Sequence, residues 1–418
     1  MSENTLGLGL LRQPKTVLFG PGQRRQLPYL AKGIASHVLV VTDARMSASP
    51  EFAQMKGQLL EHGLKVSVFS ETEPDLPREN VLTVVERFDA HTPTLERIDA
   101  VIGIGGGSCL DLAKVAAVAL VNKRDVREFY GEFRVSCAGL PVITVPTTGG
   151  TGAEVTCISV VFDRDKGMKL GIASPHLEPY AAIIDPELTL SCPPGLTAAT
   201  GADALSHLIE AFTARAKNPS AQDIDQKLYV GKNRLTDLFA RQGLALLNTA
   251  LEKVVKEPSN IDARADVMMA AYCAGMAINT TGTAGAHAIQ SPMGAFCHAP
   301  HGFGVGALLP YIMRYNLPAR VEAFAEIGRI FGVADASLPE IEQAHRAIER
   351  IETLLAIVGA PLNLRDIGIA PEHFGQVADQ AMLATRLIAN NPRELNREAI
   401  VGILQKGYDD DRSWWTLP

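Results

Sequence analysis

The sequence predicts an α/β unit built on a parallel sheet, followed by an all-helical unit. Three observations predict this. Short β-branched runs alternate with amphipathic stretches up to about residue 190, two of those runs end in glycine-rich loops, and the strand signals then stop. Such alternation places helices on both faces of a parallel sheet. A chain of 418 residues is long enough for two units of this kind. With 47% hydrophobic and 20% charged residues, each unit can bury a core.

In chain order, the expected strands are 16–19, 38–42, 65–69, 100–104, 142–145, 159–162 and 182–184. Between them, 51–61 and 79–88 carry apolar residues at three- and four-residue spacing, as amphipathic helices do. Asp185-Pro186 and the turn Cys192-Pro193-Pro194-Gly195 close this part. Helical periodicity then covers 196–213, 235–255, 261–279, 321–331, 341–358, 373–384 and 396–407. The expected domains are therefore 1–190 and 191–418. Lys217-Asn218-Pro219-Ser220 ends a helix and opens a polar loop that runs through 223–233. There is no internal repeat and no low-complexity tract.

Composition excludes several classes of function. Lys and Arg number 39 against 46 Asp and Glu, a net charge of -7 without a basic stripe, so no nucleic-acid partner is expected. The best apolar run, 115–121, is broken by Asn122 and Lys123, far short of the about 18 residues that span a bilayer. No membrane partner is expected, and the first residues lack a signal-peptide pattern. Six cysteines without a CxxC pair indicate neither a disulfide framework nor a zinc knuckle; each reads as a small buried hydrophobe. A cytoplasmic protein is the expectation.

Two loops carry chemistry. Residues 100–114 run from a strand through Gly103, Gly105, Gly106, Gly107 and Ser108 into a helix. Glycines admit a phosphate close to the backbone, and a helix amino end offers free N–H groups. The spacing is neither GxGxxG nor a Walker loop, so alone it does not separate a phosphate cradle from a tight connection. A second strand, 142–145, ends in Pro146-Thr147-Thr148-Gly149-Gly150. Parallel strands bring both loops to one sheet edge, where together they can hold a pyrophosphate and its riboses. Asp43, at the end of 38–42, can accept from an adenosine ribose hydroxyl or simply cap the next helix.

The helical half carries a different set. Asp203 and His207 stand four apart, on one helix face. Four of the ten histidines fall between 207 and 301, namely His207, His287, His298 and His301. A carboxylate with three imidazoles suits a divalent ion such as Fe²⁺ or Zn²⁺. A lone histidine is usually a satisfied core residue; the cluster and its carboxylate make metal binding an equal reading.

From Phe19-Gly20-Pro21-Gly22 through Gly105–Ser108 with Asp111 and Lys114, Pro146-Thr147-Thr148 to Glu154, and Asp185-Pro186-Glu187-Leu188-Thr189, the motifs follow one order. The Asp203/His207 helix, the His287 segment, Pro300-His301-Gly302 and Asn391-Pro392-Arg393 complete it. The chain resembles the iron-containing (group III) alcohol dehydrogenases over almost its whole length. The resemblance implies a Rossmann-like dinucleotide-binding domain, a helical metal-binding domain and a cleft between them, the architecture shared with dehydroquinate synthase. It implies a metal on Asp203, His207, His287 and His301, with iron foremost and zinc the alternative. It implies NAD on Gly105, Gly106, Gly107, Ser108, Thr147 and Thr148, selected by Asp43, with Lys169 and Leu188 beside the cofactor. It also implies a small alcohol or aldehyde as substrate and a homodimer or higher homo-oligomer.

Four positions depart from the family pattern. Ser291 stands where a second histidine usually follows the third ligand, Ala153 replaces a serine, Asp75 replaces an asparagine in Pro74-Asp75-Leu76-Pro77, and the stretch around 224–240 is longer than the common form. Without the usual histidine, proton transfer is expected through Ser291 and water, assisted by His298; an exposed loop histidine is the competing reading of His298. The expected reaction is hydride transfer between NAD(H) and an alcohol/aldehyde pair, with the metal as Lewis acid. A sugar-phosphate cyclase would use Glu with two His and a basic phosphate site, against which Asp203 and the small apolar residues 284–295 count. A hydroxyacid–oxoacid transhydrogenase would differ by keeping its nicotinamide bound.

Overall fold

Strands that read as continuous apolar runs must be covered on both faces, which a parallel sheet flanked by helices provides. The computed structural model describes residues 7–88, 97–297 and 299–415. Nine strands are found there: β1 (Thr16–Phe19), β2 (His37–Val41), β3 (Lys65–Phe69), β4 (Ala100–Gly105), β5 (Gly131–Glu132), β6 (Val142–Pro146), β7 (Ile158–Asp163), β8 (Met168–Ala173) and β9 (Ala181–Ile184). Six form one sheet in the order β1-β9-β6-β4-β2-β3, and every pairing in it is parallel. Every residue of β2, β4 and β6 is buried. The loops after these three strands therefore leave one edge together, as open α/β sheets require of a ligand site.

The expected seven strands are all present, but Ile158–Asp163 belongs elsewhere. It pairs antiparallel with β8, and β5 joins to make a separate three-stranded sheet. β8 has no strand signal in the sequence because Gly171 and Lys169 interrupt its apolar residues. Asp185 anchors the start of the main sheet: its carboxylate accepts from the amides of Gly22 and Arg24 and from the Arg24 guanidinium. That contact explains why Phe19-Gly20-Pro21-Gly22 and Asp185-Pro186 occur as a pair of motifs.

After Ile184 the described residues contain helices and no strand. The helices Pro194–Thr213, Arg234–Lys256 and Ile261–Thr281 pack together at the centre of a single large hydrophobic core. Two long helices escape sequence reading: Gly285–Cys297, with Pro292 inside it, and His301–Asn316, with three glycines and Pro310. Glycine at 302 is there for contact, since a Cβ would lie 1.9 Å from the Ala199 carbonyl oxygen of the crossing helix. Within the expected polar loop, Ala221–Gln226 forms a short helix closed by a Ser220–Asp223 capping box. Cys109, Cys157, Cys192 and Cys273 are buried as expected; Cys137 is exposed and Cys297 half-buried, and all six are free thiols. No described helix is long and apolar enough to cross a membrane.

A buried lysine ties the first glycine loop to the second. Lys114, on the Gly107–Asn122 helix, is fully enclosed. It pairs with Asp111 at 2.9 Å and donates to the carbonyls of Ala153, Thr156 and Ile158. A buried ammonium is tolerable only when paired and hydrogen-bonded in this way. Glu154, beside the same loop, is 3% exposed, and burial pushes its carboxyl up to about 7 although Lys114 opposes the shift. The folded chain thus keeps a proton that the unfolded chain releases above its ordinary value of 4.5. Stability should fall as the pH rises from about 4.5 to about 7 and then level off. Glu154→Gln should flatten that decline, as read from urea midpoints at about pH 5 and about pH 8.

Candidate active site

The helix Pro194–Thr213 presents Asp203, His207 and Glu210 at successive turns of one face. His287 stands in the first turn of Gly285–Cys297, and His301 opens the helix that follows Pro300. Three helices thereby bring three imidazoles to one carboxylate oxygen. The Nε2 atoms of His207, His287 and His301 lie 3.7, 3.4 and 3.7 Å from Asp203 Oδ1. His207 stacks on His287 at a centroid distance of 4.5 Å. Asp203, His287 and His301 offer ligand atoms that all lie within 4.8 Å of one another. Ligand bonds of about 2.0–2.2 Å in a tetrahedral shell put neighbouring donor atoms about 3.3–3.6 Å apart, so the spacing fits a divalent cation. The His301 side chain is 33% exposed while Asp203, His207 and His287 are under 10%, which leaves the site open on one side.

The charge states of Asp203, His207 and His301 fit the same reading. Burial opposes ionisation of Asp203, but the imidazoles outweigh it and hold the carboxyl below the usual range. Burial holds His207 below its ordinary value and pushes His301 down to about 3, so both are neutral donors at pH 7. His287 differs: burial opposes its charge, but Glu210 and Asp203 raise it to about 10. Its Nδ1 lies 2.5 Å from Glu210 Oε2, and the other Glu210 oxygen accepts from the amide of Ala286 at 2.7 Å. Glu210 thus fixes the ring with Nε2 facing the centre, the arrangement that carboxylates impose on metal-bound histidines. Sequence reasoning missed Glu210. Its signal was there, three residues after His207 on the same face.

The glycine loops meet as expected. The Gly107–Asn122 helix starts from Gly106 without a side-chain cap, which leaves its first amides free. Gly105 has a φ of +152°, and a Cβ there would lie 2.5 Å from Cys109 Sγ. The Thr147 amide donates to the Gly105 carbonyl at 2.9 Å, and Gly106 lies against Thr148. Asp43 acts as the cap of the next helix, with Oδ1 accepting from the Met46 amide at 2.7 Å, while Oδ2 faces Gly105 and accepts from the Cys109 thiol at 3.6 Å. Leu188 is packed in the core under the sheet. Lys169, on β8, pairs with Asp75 at 2.5 Å. Asp75 holds a φ of +62°, a left-handed turn that asparagine and aspartate both tolerate, so the replacement keeps the turn and adds a charge for Lys169.

A cavity of about 620 Å³ joins these parts. Gly107, Ser108 and Lys169 line it, as do Asp203, His207, His287, His301 and Ser291. Asp43, Gly105, Gly106, Thr147, Thr148 and Leu188 are not among its lining residues. Ser291 follows His287 by one helical turn and faces the cavity. His298 lies outside the described residues.

Residues 14–186 match the family profile described as iron-containing alcohol dehydrogenase, and residues 197–408 match that of the Fe-containing alcohol dehydrogenase family, C-terminal. The chain belongs to the iron-containing alcohol dehydrogenase family. It is 34% identical over 379 residues to long-chain-alcohol dehydrogenase 1 of Geobacillus thermodenitrificans, covering 90% of each chain. To the NAD-dependent methanol dehydrogenase of Bacillus methanolicus it is 31% identical over 395 residues, 94% of this chain and 98% of the relative. The solved alcohol dehydrogenase from Oenococcus oeni superposes with a TM-score of 0.88 at 31% identity, over 96% of this chain and all of that one. As an enzyme of this family the chain is an oxidoreductase, with a parallel-sheet first half and a helical second half.

Within this iron-containing alcohol dehydrogenase, Glu210 has a testable task. Glu210→Gln keeps the shape but loses the charge that orients His287. Affinity for Fe²⁺ or Zn²⁺ should fall about 10–100-fold, as read by competition with a chelator under anaerobic conditions.

Proposed function

We propose that the enzyme interconverts a small alcohol and its aldehyde with NAD(H), assisted by one divalent cation, iron foremost and zinc the alternative. The observation that carries this reading is that one cavity is lined by both Gly107 and Ser108, at the uncapped helix start, and the four candidate metal ligands. When bound, the cation supplies Lewis acidity at the carbonyl oxygen and NADH supplies the hydride. Asp203, His207, His287 and His301 hold the cation, and the open flank at His301 leaves room for a substrate oxygen. The amides at Gly105–Ser108 and the Thr147-Thr148 loop hold the pyrophosphate. Asp43 accepts from the adenosine ribose through the oxygen that its capping role leaves free. Lys169, steadied by Asp75, and Leu188 flank the cofactor. Ser291 relays a proton between the reacting oxygen and water, with His298 as its assistant. The reading takes residues 1–190 and 191–418 as the two domains, in a cytoplasmic homo-oligomer.

Oxidation of NADH followed by absorbance, with a panel of short aldehydes and with Fe²⁺ or Zn²⁺, tests the core of this. Multiple turnovers are expected, and chelation should abolish them. Full turnover at negligible metal content would overturn the metal assignment, and failure to release NAD⁺ would favour the transhydrogenase instead.

Asp43 provides a separate test. A carboxylate facing a 2′-phosphate suffers repulsion without compensation, worth a preference of about 10²-fold. Asp43→Gly should reduce the ratio of kcat/KM with NADH to that with NADPH by at least about tenfold. Equal use of the two cofactors by the wild type would leave Asp43 as a helix cap only.

A further inference from the structure

Arg386 lies on the short helix Thr385–Asn390 and lines the same cavity as His287 and His301. Its guanidinium stacks over the Tyr229 ring, with Cζ 4.3 Å from the centroid. Among the described residues it has no hydrogen bond and no ion pair. A guanidinium stays charged and carries five donors in a planar fork that matches an oxyanion. The acids that line the cavity are already engaged. Asp75 pairs with Lys169, Asp111 with Lys114 and the Val160 amide, and Asp203 faces the imidazoles. Glu132 accepts from the amides of Leu228 and Tyr229 at 2.7 and 3.4 Å.

The surroundings are shaped to present this arginine. Tyr229, only 7% exposed, belongs to the stretch after residue 214 that packs back on Cys157 and Ala173 beside β8. The ring is therefore fixed before it meets Arg386. On the other side, a Cβ at Gly171 would lie 3.4 Å from an Arg386 nitrogen, so glycine there leaves the fork room against β8. Gly171 and Lys169 share one face of that strand, roughly 7 Å apart, and both line the cavity.

We propose that Arg386, braced by Tyr229, is a specificity residue that selects aldehydes whose far end carries a carboxylate or sulfonate over neutral aldehydes of the same length. The reacting end of the substrate rests on the alcohol/aldehyde reaction proposed above; the anion site rests on Arg386 alone. A charge-assisted bidentate pair in a partly enclosed cleft is among the stronger polar contacts available to a small ligand.

Steady-state kinetics with succinic semialdehyde, sulfopropanal and neutral butanal test the selection. The wild type should use at least one of the anionic aldehydes about tenfold or more better, in kcat/KM, than butanal. Arg386→Gln should lower that preference at least about tenfold, chiefly through KM, and Arg386→Lys should recover part of it. Butanal used as well as both anions by the wild type, or a loss in Arg386→Gln that is equal for all three, would overturn the proposal. Calorimetric binding of the inert anions butanoate and propane sulfonate separates the two readings. Binding by the wild type that is lost in Arg386→Gln, without turnover of any aldehyde, would support the anion site and count against the proposed alcohol/aldehyde reaction. Turnover of butanal with no anion binding by the wild type would do the reverse.

Discussion

One buried carboxylate oxygen organises the second half of this protein. Asp203 is 4% exposed and faces three imidazole nitrogens at 3.4–3.7 Å. A charged carboxyl so enclosed is costly unless compensating charge surrounds it. His287, the one imidazole whose charge its neighbours favour, supplies part of that compensation and Glu210 holds it in line, which leaves a donor set whose spacing fits a cation. Because the three histidines stand on three helices, those helices must cross closely. Gly302 is pressed against the Ala199 carbonyl, and a Cβ at Gly304 would collide with the Gln290 side-chain oxygen at 2.2 Å. Small residues at the crossings follow from the geometry of the site.

The first half answers a different requirement, that two loops leave one sheet edge side by side. The parallel order of β2, β4 and β6 does this, and the Thr147–Gly105 hydrogen bond continues the pairing into the loops. Lys114 then fixes the helix behind the first loop to the carbonyls that follow the second. The cavity lies where the helix amino end, β8 and the histidine helices converge. Hydride transfer needs that convergence, since cofactor and substrate must be held in contact and away from water.

Much of this is legible in the sequence, and the parts that are not have physical reasons. Residues 38–41 of the strand His37–Val41 are all apolar, and Asp203 with His207 shows the one-turn spacing of a helix face. The helix His301–Asn316 is hidden because its glycines serve packing and read as breakers. β8 is hidden because Gly171 and Lys169 face the cavity instead of the core. The contact of Arg386 with Tyr229 joins positions far apart in the chain, in a stretch that reads as a polar loop. Asp43 is ambiguous in the sequence because one carboxylate has two oxygens, and the structure gives each of them a different neighbour.

X-ray absorption at the iron K edge of the Fe²⁺-loaded protein measures the donor set most directly. The predicted spectrum contains nitrogen and oxygen scatterers alone, with the multiple-scattering pattern of three imidazoles and one carboxylate oxygen. A sulfur shell, or the pattern of fewer than three imidazoles, would contradict the assignment of Asp203, His207, His287 and His301.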